Sequence, residues 1–318
     1  MNILNFMKNK KIKKLVTISL KVIVSVGFLV LVIYQTNWLE VYENLQTINA
    51  WWLVLYTIVL LIGIFISSYK WKILTAFKGI HSSHWNFFKL YLIGTFINNF
   101  MPSFIAGDAF KAYQIGNPKD KYAEATSAVL MDRITGFVGA TILAIAFSVL
   151  NYKAILSNNI LIWINILLIL SFGVDIFIAG LKRIRPLKNW ILKVTPEKII
   201  HFLRELYSYN NKDRVITKSI WLSILFSIVG VAILNYILFL ALGVQIGTLN
   251  YLSVIFLISI ISALPISINN IGLKEWAYIT LFGLFGVNTS AVVTVAIISR
   301  FMQMLVSFLA LPSYLKIK

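Results

Sequence analysis

Six apolar runs, near 15–34, 51–69, 124–150, 159–180, 219–243 and 288–313, are each long enough to cross a bilayer as a helix. Lipid offers no hydrogen-bond partner to a peptide group, so a continuous apolar run of this length must satisfy its own backbone. Two further apolar segments, 87–106 and 249–286, are interrupted near their middles by Pro, Gly and Asn. They read as re-entrant hairpins or pairs of short helices. With 59% apolar and 13% charged residues and a mean hydropathy of +0.84, a soluble domain of 318 residues is excluded. The expected fold is an all-α polytopic membrane protein in the cell membrane, multi-pass, forming one integral domain over 1–318. It has about six full transmembrane helices plus the two hairpins.

The formal net charge of +18 does not indicate nucleic acid, because the basic residues flank the apolar runs, as the positive-inside rule requires. The N-terminal MNILNFMKNKKIKK precedes about 20 apolar residues without a small-residue cleavage site, and reads as leading into a retained first helix. Lysines 8, 10, 11, 13 and 14 place the N-terminus in the cytoplasm, and Lys316 and Lys318 place the C-terminus there. Lys70, Lys72 and Lys78 before the first interrupted segment, and Lys111, Lys119 and Lys121 after it, favour a hairpin entering from the cytoplasm. Residues 181–218 hold ten Lys or Arg and form the strongest cytoplasmic signal. Within them Thr195-Pro196-Glu197 starts an amphipathic helix with Ile199, Ile200, Leu203, Leu206 and Tyr207 on one face. The second interrupted segment has nearly uncharged flanks and is expected to enter from outside. Trp51, Trp52, Trp71, Trp85 and Trp221 fall near span ends, as interfacial anchors do.

The two interrupted segments echo each other. Gly107-Asp-Ala-Phe-Lys-Ala-Tyr113 and Gly272-Leu-Lys-Glu-Trp-Ala-Tyr278 each follow a proline, Pro102 or Pro265, and each precede by about 20 residues an arginine inside an apolar run, Arg133 or Arg300. The pattern predicts an inverted repeat, 51–150 and 219–313, of the kind found in alternating-access carriers.

An arginine near the bilayer centre costs roughly 2.5–3.5 kcal/mol on insertion scales, so Arg133 and Arg300 need partners. The available anions are Asp108, Asp132, Glu275 and, nearer the cytoplasmic end of its helix, Asp175. Asp132 and Arg133 are neighbours whose side chains diverge by about 100°, so each must pair elsewhere. One reading is structural ion pairs stapling the bundle. The sharper reading is an anion site in which the guanidiniums grip a phosphate while Asp108 and Glu275 hold or release them. Lys111 and Lys274 stand where a headgroup would enter, or snorkel to solvent. Asn98, Asn99, Asn269 and Asn270 supply amides beside the breaks. Pro102, Gly107, Pro265 and Gly272 permit the reversals.

Enzyme signals are weak. Without cysteine there is no thiolate nucleophile or thiolate metal site. His81 and His84 lack a third ligand, and no glycine-rich phosphate loop or Ser-His-Asp pattern can be assembled. No metal, cofactor or catalytic residue is expected.

At NNFMPSFIAGDAFKAYQI, at the MDR containing Arg133, at LPISINNIGLKEWAYITLFG and at Arg300, the chain resembles the lysylphosphatidylglycerol synthase transmembrane-region family, the flippase-like or UPF0104 type. Lys111 stands where that family usually has Arg, and Asn269 and Asn270 stand where glycines are common. The resemblance implies a protein that moves a polar or isoprenoid-linked lipid between leaflets. It also implies that a lysyltransferase activity would belong to fused relatives carrying a cytoplasmic domain. The leading expectation is thus a flippase-like transporter of a phosphate-bearing lipid, with anionic membrane lipids as partners and a homo-oligomer as an option. The alternatives are a membrane component of a lipid-modifying transferase, or an anchor for a cytoplasmic synthase.

Overall fold

The structure, a computed structural model, describes residues 10–101, 105–181, 205, 208–211, 213–264 and 266–316. Its helices are α1 Lys10–Gln35, α2 Trp38–Thr47, α3 Ala50–Phe77, α4 His84–Phe100, α5 Ala106–Gly116, α6 Tyr122–Leu150, α7 Tyr152–Leu156 and α8 Asn159–Leu181. They continue with α9 Asp213–Phe226, α10 Leu234–Ala241, α11 Thr248–Ala263, α12 Leu273–Gly283, α13 Thr289–Ser307 and α14 Leu311–Leu315. A π-helical segment, Ser227–Ile233, joins α9 to α10. No strand occurs among the described residues.

Four helical units, Ala50–Phe77, Tyr122–Leu150, Arg214–Ala241 and Thr289–Leu315, are long and apolar enough to cross a membrane. A fifth arises if the α1–α2 pair, bent by 82°, counts as one span. The expected run 159–180 lies in α8, whose described apolar stretch Asn159–Leu170 is shorter than a span. The bend has a local cause. Thr36 Oγ1 donates back to Val32 O at 2.6 Å, ending α1, and Asn37 Oδ1 accepts from Leu39 and Glu40 N–H, starting α2. Asn49, Ser83 and Asn288 cap α3, α4 and α13 in the same way.

Both interrupted segments fold back as helical hairpins. In the first, α4 and α5 touch at Gly94 and Gly107, so closely that a Cβ on Gly107 would stand 2.0 Å from Gly94 O. Asn98 Oδ1 accepts from Gly107 N–H at 2.7 Å across the reversal. In the second, α11 and α12 run antiparallel, with Tyr251 near the start of one stacked on Phe282 near the end of the other, centroids 5.8 Å apart. Pro102 and Pro265 lie outside the described residues, as do Lys8, Lys318 and most of the basic segment, on which the expected amphipathic helix falls.

Printed contacts group the connections at two ends of the bundle. At one end Lys121 Nζ reaches the carbonyls of Lys78 and Gly79, and Lys78 Nζ pairs with Glu205 Oε2 at 2.7 Å. At the other, Asn151 Nδ2 donates to Asn250 Oδ1 at 2.9 Å and Asn288 Nδ2 to Glu40 Oε1 at 2.9 Å. Helix α6 runs between them.

The core centres on Tyr56, Phe239, Tyr251, Phe256, Tyr278 and Phe282, all almost fully enclosed. In lipid such a core is held by dispersion, close backbone approach and interhelical hydrogen bonds of about 0.6–2 kcal/mol each. Examples are Tyr278 Oη to Asn235 Oδ1 at 2.8 Å and Tyr251 Oη to Ala232 O at 2.7 Å. Trp51, Trp85 and Trp221 are exposed, as anchors should be, but Trp71 is 0% exposed and packs edge-on against Phe87 at 4.9 Å. It is a core residue because α3 extends to Phe77, a full 28 residues, and carries position 71 inside the bundle.

Candidate functional site

Each hairpin positions a carboxylate at the start of its second helix, where the helix N-terminus favours negative charge. Asp108 lies in the first turn of α5 and Glu275 in the first turn of α12. Each carboxylate binds the arginine 25 residues later, on the next helix: Arg133 Nε donates to Asp108 Oδ2, and Arg300 Nη2 to Glu275 Oε1 at 2.9 Å.

Around Asp108 the second oxygen binds Lys111 Nζ at 2.8 Å. Lys111 is therefore buried, its stem against Gly94 and its ammonium 4.1 Å from the centroid of the Tyr91 ring. It does not stand at an entrance. The adjacent Asp132 turns away from Arg133, as helical geometry demands, and lies 3.0 Å from Lys70 Nζ. That is a charge contact off the hydrogen-bonding direction. The ammonium protons go instead to Asp132 O at 2.8 Å and Ser223 Oγ at 3.0 Å. Tyr91 Oη donates to Asp132 Oδ2 at 3.5 Å. Lys70 was expected in the cytoplasmic flank, yet it is 3% exposed. Seven residues before the end of α3, it sits about 10 Å inside the bundle at 1.5 Å per residue.

Around Glu275 the backbone itself contributes. Asn269 and Asn270 adopt φ of 48° and 57°, which turns their carbonyls onto Arg300 Nη1 and Nη2, each at 3.2 Å. Gly272, at φ 79°, donates its N–H to Glu275 Oε2 at 2.8 Å. A Cβ there would meet Ser25 O and Phe28 at 2.8 Å, because α1 lies across this tip. Asn269 and Asn270 thus work through their backbones, while Asn99 Nδ2 ties the first tip to Ser307 Oγ at 2.7 Å. Lys274 Nζ reaches Ser299 Oγ at 3.2 Å, and the same hydroxyl accepts from Gln303 Nε2 at 3.1 Å and contacts Tyr56 Oη at 3.1 Å.

The two arginines therefore each sit in the carboxylate of their own hairpin. Beside the first hairpin, α3, α4, the end of α9, the π segment with α10, and α13 line a cavity of about 170 Å³. Sequence reasoning missed Lys70, Tyr91, Ser223, Ser299 and Gln303. The runs Ser67-Ser68 before Lys70 and Ser299-Arg300 on α13 were the available signals, polar residues at intramembrane positions. No group of three or more His, Asp or Glu able to hold a metal occurs among the described residues, and His84 contacts Ser68 Oγ at 3.0 Å.

A helical bundle with two broken-helix hairpins, each carrying a carboxylate–arginine pair inside the apolar layer, defines a membrane protein with a polar intramembrane centre. The chain belongs to the lysylphosphatidylglycerol synthase TM region family, whose sequence pattern matches residues 18–310. It is also 26% identical, over 322 aligned positions, to a UPF0104 membrane protein of Methanocaldococcus jannaschii, covering 95% of this chain and 94% of that relative. No solved structure matches it.

Proposed function

We propose that the protein is a flippase-like transporter that moves a phosphate-bearing lipid between leaflets of the cell membrane. In this reading both hairpins belong to an inverted repeat, 51–150 and 219–313, with both chain termini cytoplasmic. The observation that carries it is the matched clamp, Asp108–Arg133 and Glu275–Arg300, each spanning 25 residues, on hairpins whose ends lie at opposite ends of the bundle. Charged groups inside an apolar layer mark transport pathways, and discontinuous elements meeting near the midplane are the usual way to build one. Asp108 and Glu275 hold the arginines in the resting state. A lipid phosphate competes for the guanidinium forks as the site opens. Lys111, Asp132, Asn98, Asn99, Asn269 and Asn270 frame those clamps, and Gly107 and Gly272 serve as hinges. The family membership supports a lipid substrate.

The test is leaflet-to-leaflet movement of fluorescent phospholipids in proteoliposomes, comparing the natural chain with Arg300→Ala and Glu275→Gln. Movement by the natural chain and loss in both variants is expected. Well-folded protein that moves no phospholipid sinks the proposal.

One observation favours the second reading, an anchor for a cytoplasmic lipid-modifying enzyme. Glu205, Ser208 and Tyr209 of the basic segment dock on the end of α3, with Tyr209 Oη donating to Leu74 O at 2.9 Å. Replacing that segment while leaving the intramembrane charges intact separates the two readings.

A further inference from the structure

Of the cations gathered at the two hairpins, Lys274 is held differently from the rest. Lys70 and Lys111 each lie against a carboxylate oxygen, at 3.0 and 2.8 Å, and Arg133 and Arg300 each hold one in their clamp. Lys274 forms no ion pair with a described carboxylate. Its Nζ ends on Ser299 Oγ at 3.2 Å, on a residue that is 0% exposed, with the centroid of the Tyr278 ring 5.5 Å away. Glu275 is the next residue, but helical neighbours diverge by about 100°, and its oxygens are taken by Arg300 and by Gly272 N–H.

Three features oppose a charge on Lys274. It is the second residue of α12, where the helix N-terminus disfavours a cation, whereas Lys111 lies past the first turn of α5. Arg300 follows Ser299 in the chain and brings a like charge to the same place. With Arg300 held by Glu275, a second cation would leave the cluster one positive charge beyond its carboxylate, inside an apolar layer. The groups that face Lys274 are Glu275 and Tyr278 on α12, Arg300, Ser299 and Gln303 on α13, and Tyr56 on α3 behind Ser299. Helix α1 meets this tip through Ser25 and Phe28, and α11 meets α12 through Tyr251.

The hydrogen bonds point the same way. Ser299 Oγ has one proton and two lone pairs. Gln303 Nε2 and Tyr56 Oη, each at 3.1 Å, fill the lone pairs and leave the hydroxyl proton for Lys274 Nζ. A neutral amine has the lone pair to accept it; an ammonium has none. An ammonium can be accommodated by turning the Tyr56 proton to Ser299 O, at 3.3 Å. The site therefore has one hydrogen-bond pattern for each protonation state. Lys274 is only partly buried, which gives a proton access to it.

We infer that Lys274 is a proton-binding site that couples lipid movement to the movement of a proton. It is an uncharged amine while Glu275 holds Arg300. When Arg300 leaves Glu275 for a lipid phosphate, Lys274 takes a proton from water, so that the charge around Glu275 stays zero. The new N–H bond breaks and the proton returns to water as the clamp closes again. The inference rests on the transport reading and adds its coupling ion.

The first test needs no transport. With carbon-13 at lysine Cε in the full chain in detergent, the Lys274 resonance, assigned by its loss in Lys274→Met, distinguishes amine from ammonium. At neutral pH the natural chain and Glu275→Gln should show a neutral amine, and Arg300→Gln should shift the resonance to that of an ammonium. An ammonium in the natural chain or in Glu275→Gln, or an unshifted amine in folded Arg300→Gln, overturns the inference. In proteoliposomes, an imposed pH difference should speed phospholipid movement in one direction, with proton entry reported by a trapped dye, and Lys274→Met should lose that dependence. Lipid movement that ignores the pH difference overturns the inference and leaves the transport reading standing. A Lys274 that switches as expected in a chain that moves no lipid overturns the transport reading and the coupling, while the proton site stands.

Discussion

Replacing Glu275 by Gln removes one charge and almost no volume, and the consequences differ for the two groups that carboxylate serves. Arg300 loses the partner of its Nε and Nη2, at 3.1 and 2.9 Å, and keeps only the carbonyls of Asn269 and Asn270. Breaking a fully buried pair costs about 3–5 kcal/mol, but the Arg300 side chain is 34% exposed and solvent screening lowers this to about 1–3 kcal/mol. Gly272 N–H still finds an amide oxygen in Gln, whereas Glu275→Ala removes that acceptor too and adds about 1 kcal/mol. In detergent, the Gln variant should melt roughly 2–6 °C below the natural chain, with the Ala variant lower again. Amide exchange at Gly272 should quicken only in the Ala variant. The double variant Glu275→Gln/Arg300→Gln should recover at least half of the loss, because the Arg300 guanidinium is no longer left without its carboxylate. If the double variant is additive to within about 0.3–0.5 kcal/mol, or if the Gln and Ala variants melt alike, the ion pair does not hold the second tip and the reasoning fails.

Lys70→Met strands Asp132, which is 5% exposed, and should destabilise the bundle by about 3–5 kcal/mol. Adding Asp132→Leu should restore most of it, and a melting curve that shows no recovery would remove the buried-pair assignment. Gly107→Ala forces a methyl against Gly94 O and should lower membrane-inserted yield and melting temperature, whereas Gly283→Ala, with nothing within 4 Å, should be near neutral. Because the chain has no cysteine, single cysteines report sidedness cleanly. In sealed vesicles an impermeant thiol reagent should reach Ser82→Cys and Lys121→Cys from one side, and Ser157→Cys and Asn288→Cys from the other. Labelling of all four from one side would end the opposite-facing arrangement of the hairpins.

Much of the clamp chemistry was legible before any coordinates. An arginine in the middle of an apolar run demands an anion, and the echo of Asp108 with Glu275 narrowed the choice. The divergence of Asp132 from Arg133 followed from helical geometry alone. Lys70 and Trp71 were misread for a single reason. An apolar run ending near residue 69 suggested an interface there, while α3 continues to Phe77 and keeps both side chains inside. The roles of Asn269 and Asn270 were equally hidden, since side-chain chemistry drew attention to their amides while their positive φ made their carbonyls the working groups.

What the sequence determined by itself is the set of elements that lipid leaves no choice about: apolar helices, two breaks at Pro, Gly and Asn, and buried charges in need of partners. Those follow from the cost of an unsatisfied polar group in an apolar layer, which acts residue by residue. Tertiary structure decided the rest. Whether Asp132 meets Lys70 or Arg300, whether Lys111 faces solvent or the Tyr91 ring, and whether a cavity opens beside the π segment all depend on how helices far apart in the chain lie against one another. Helix-to-helix registers are set by small-residue contacts such as Gly94 with Gly107 and Gly63 with Gly230, whose meaning appears only once both partners are in place.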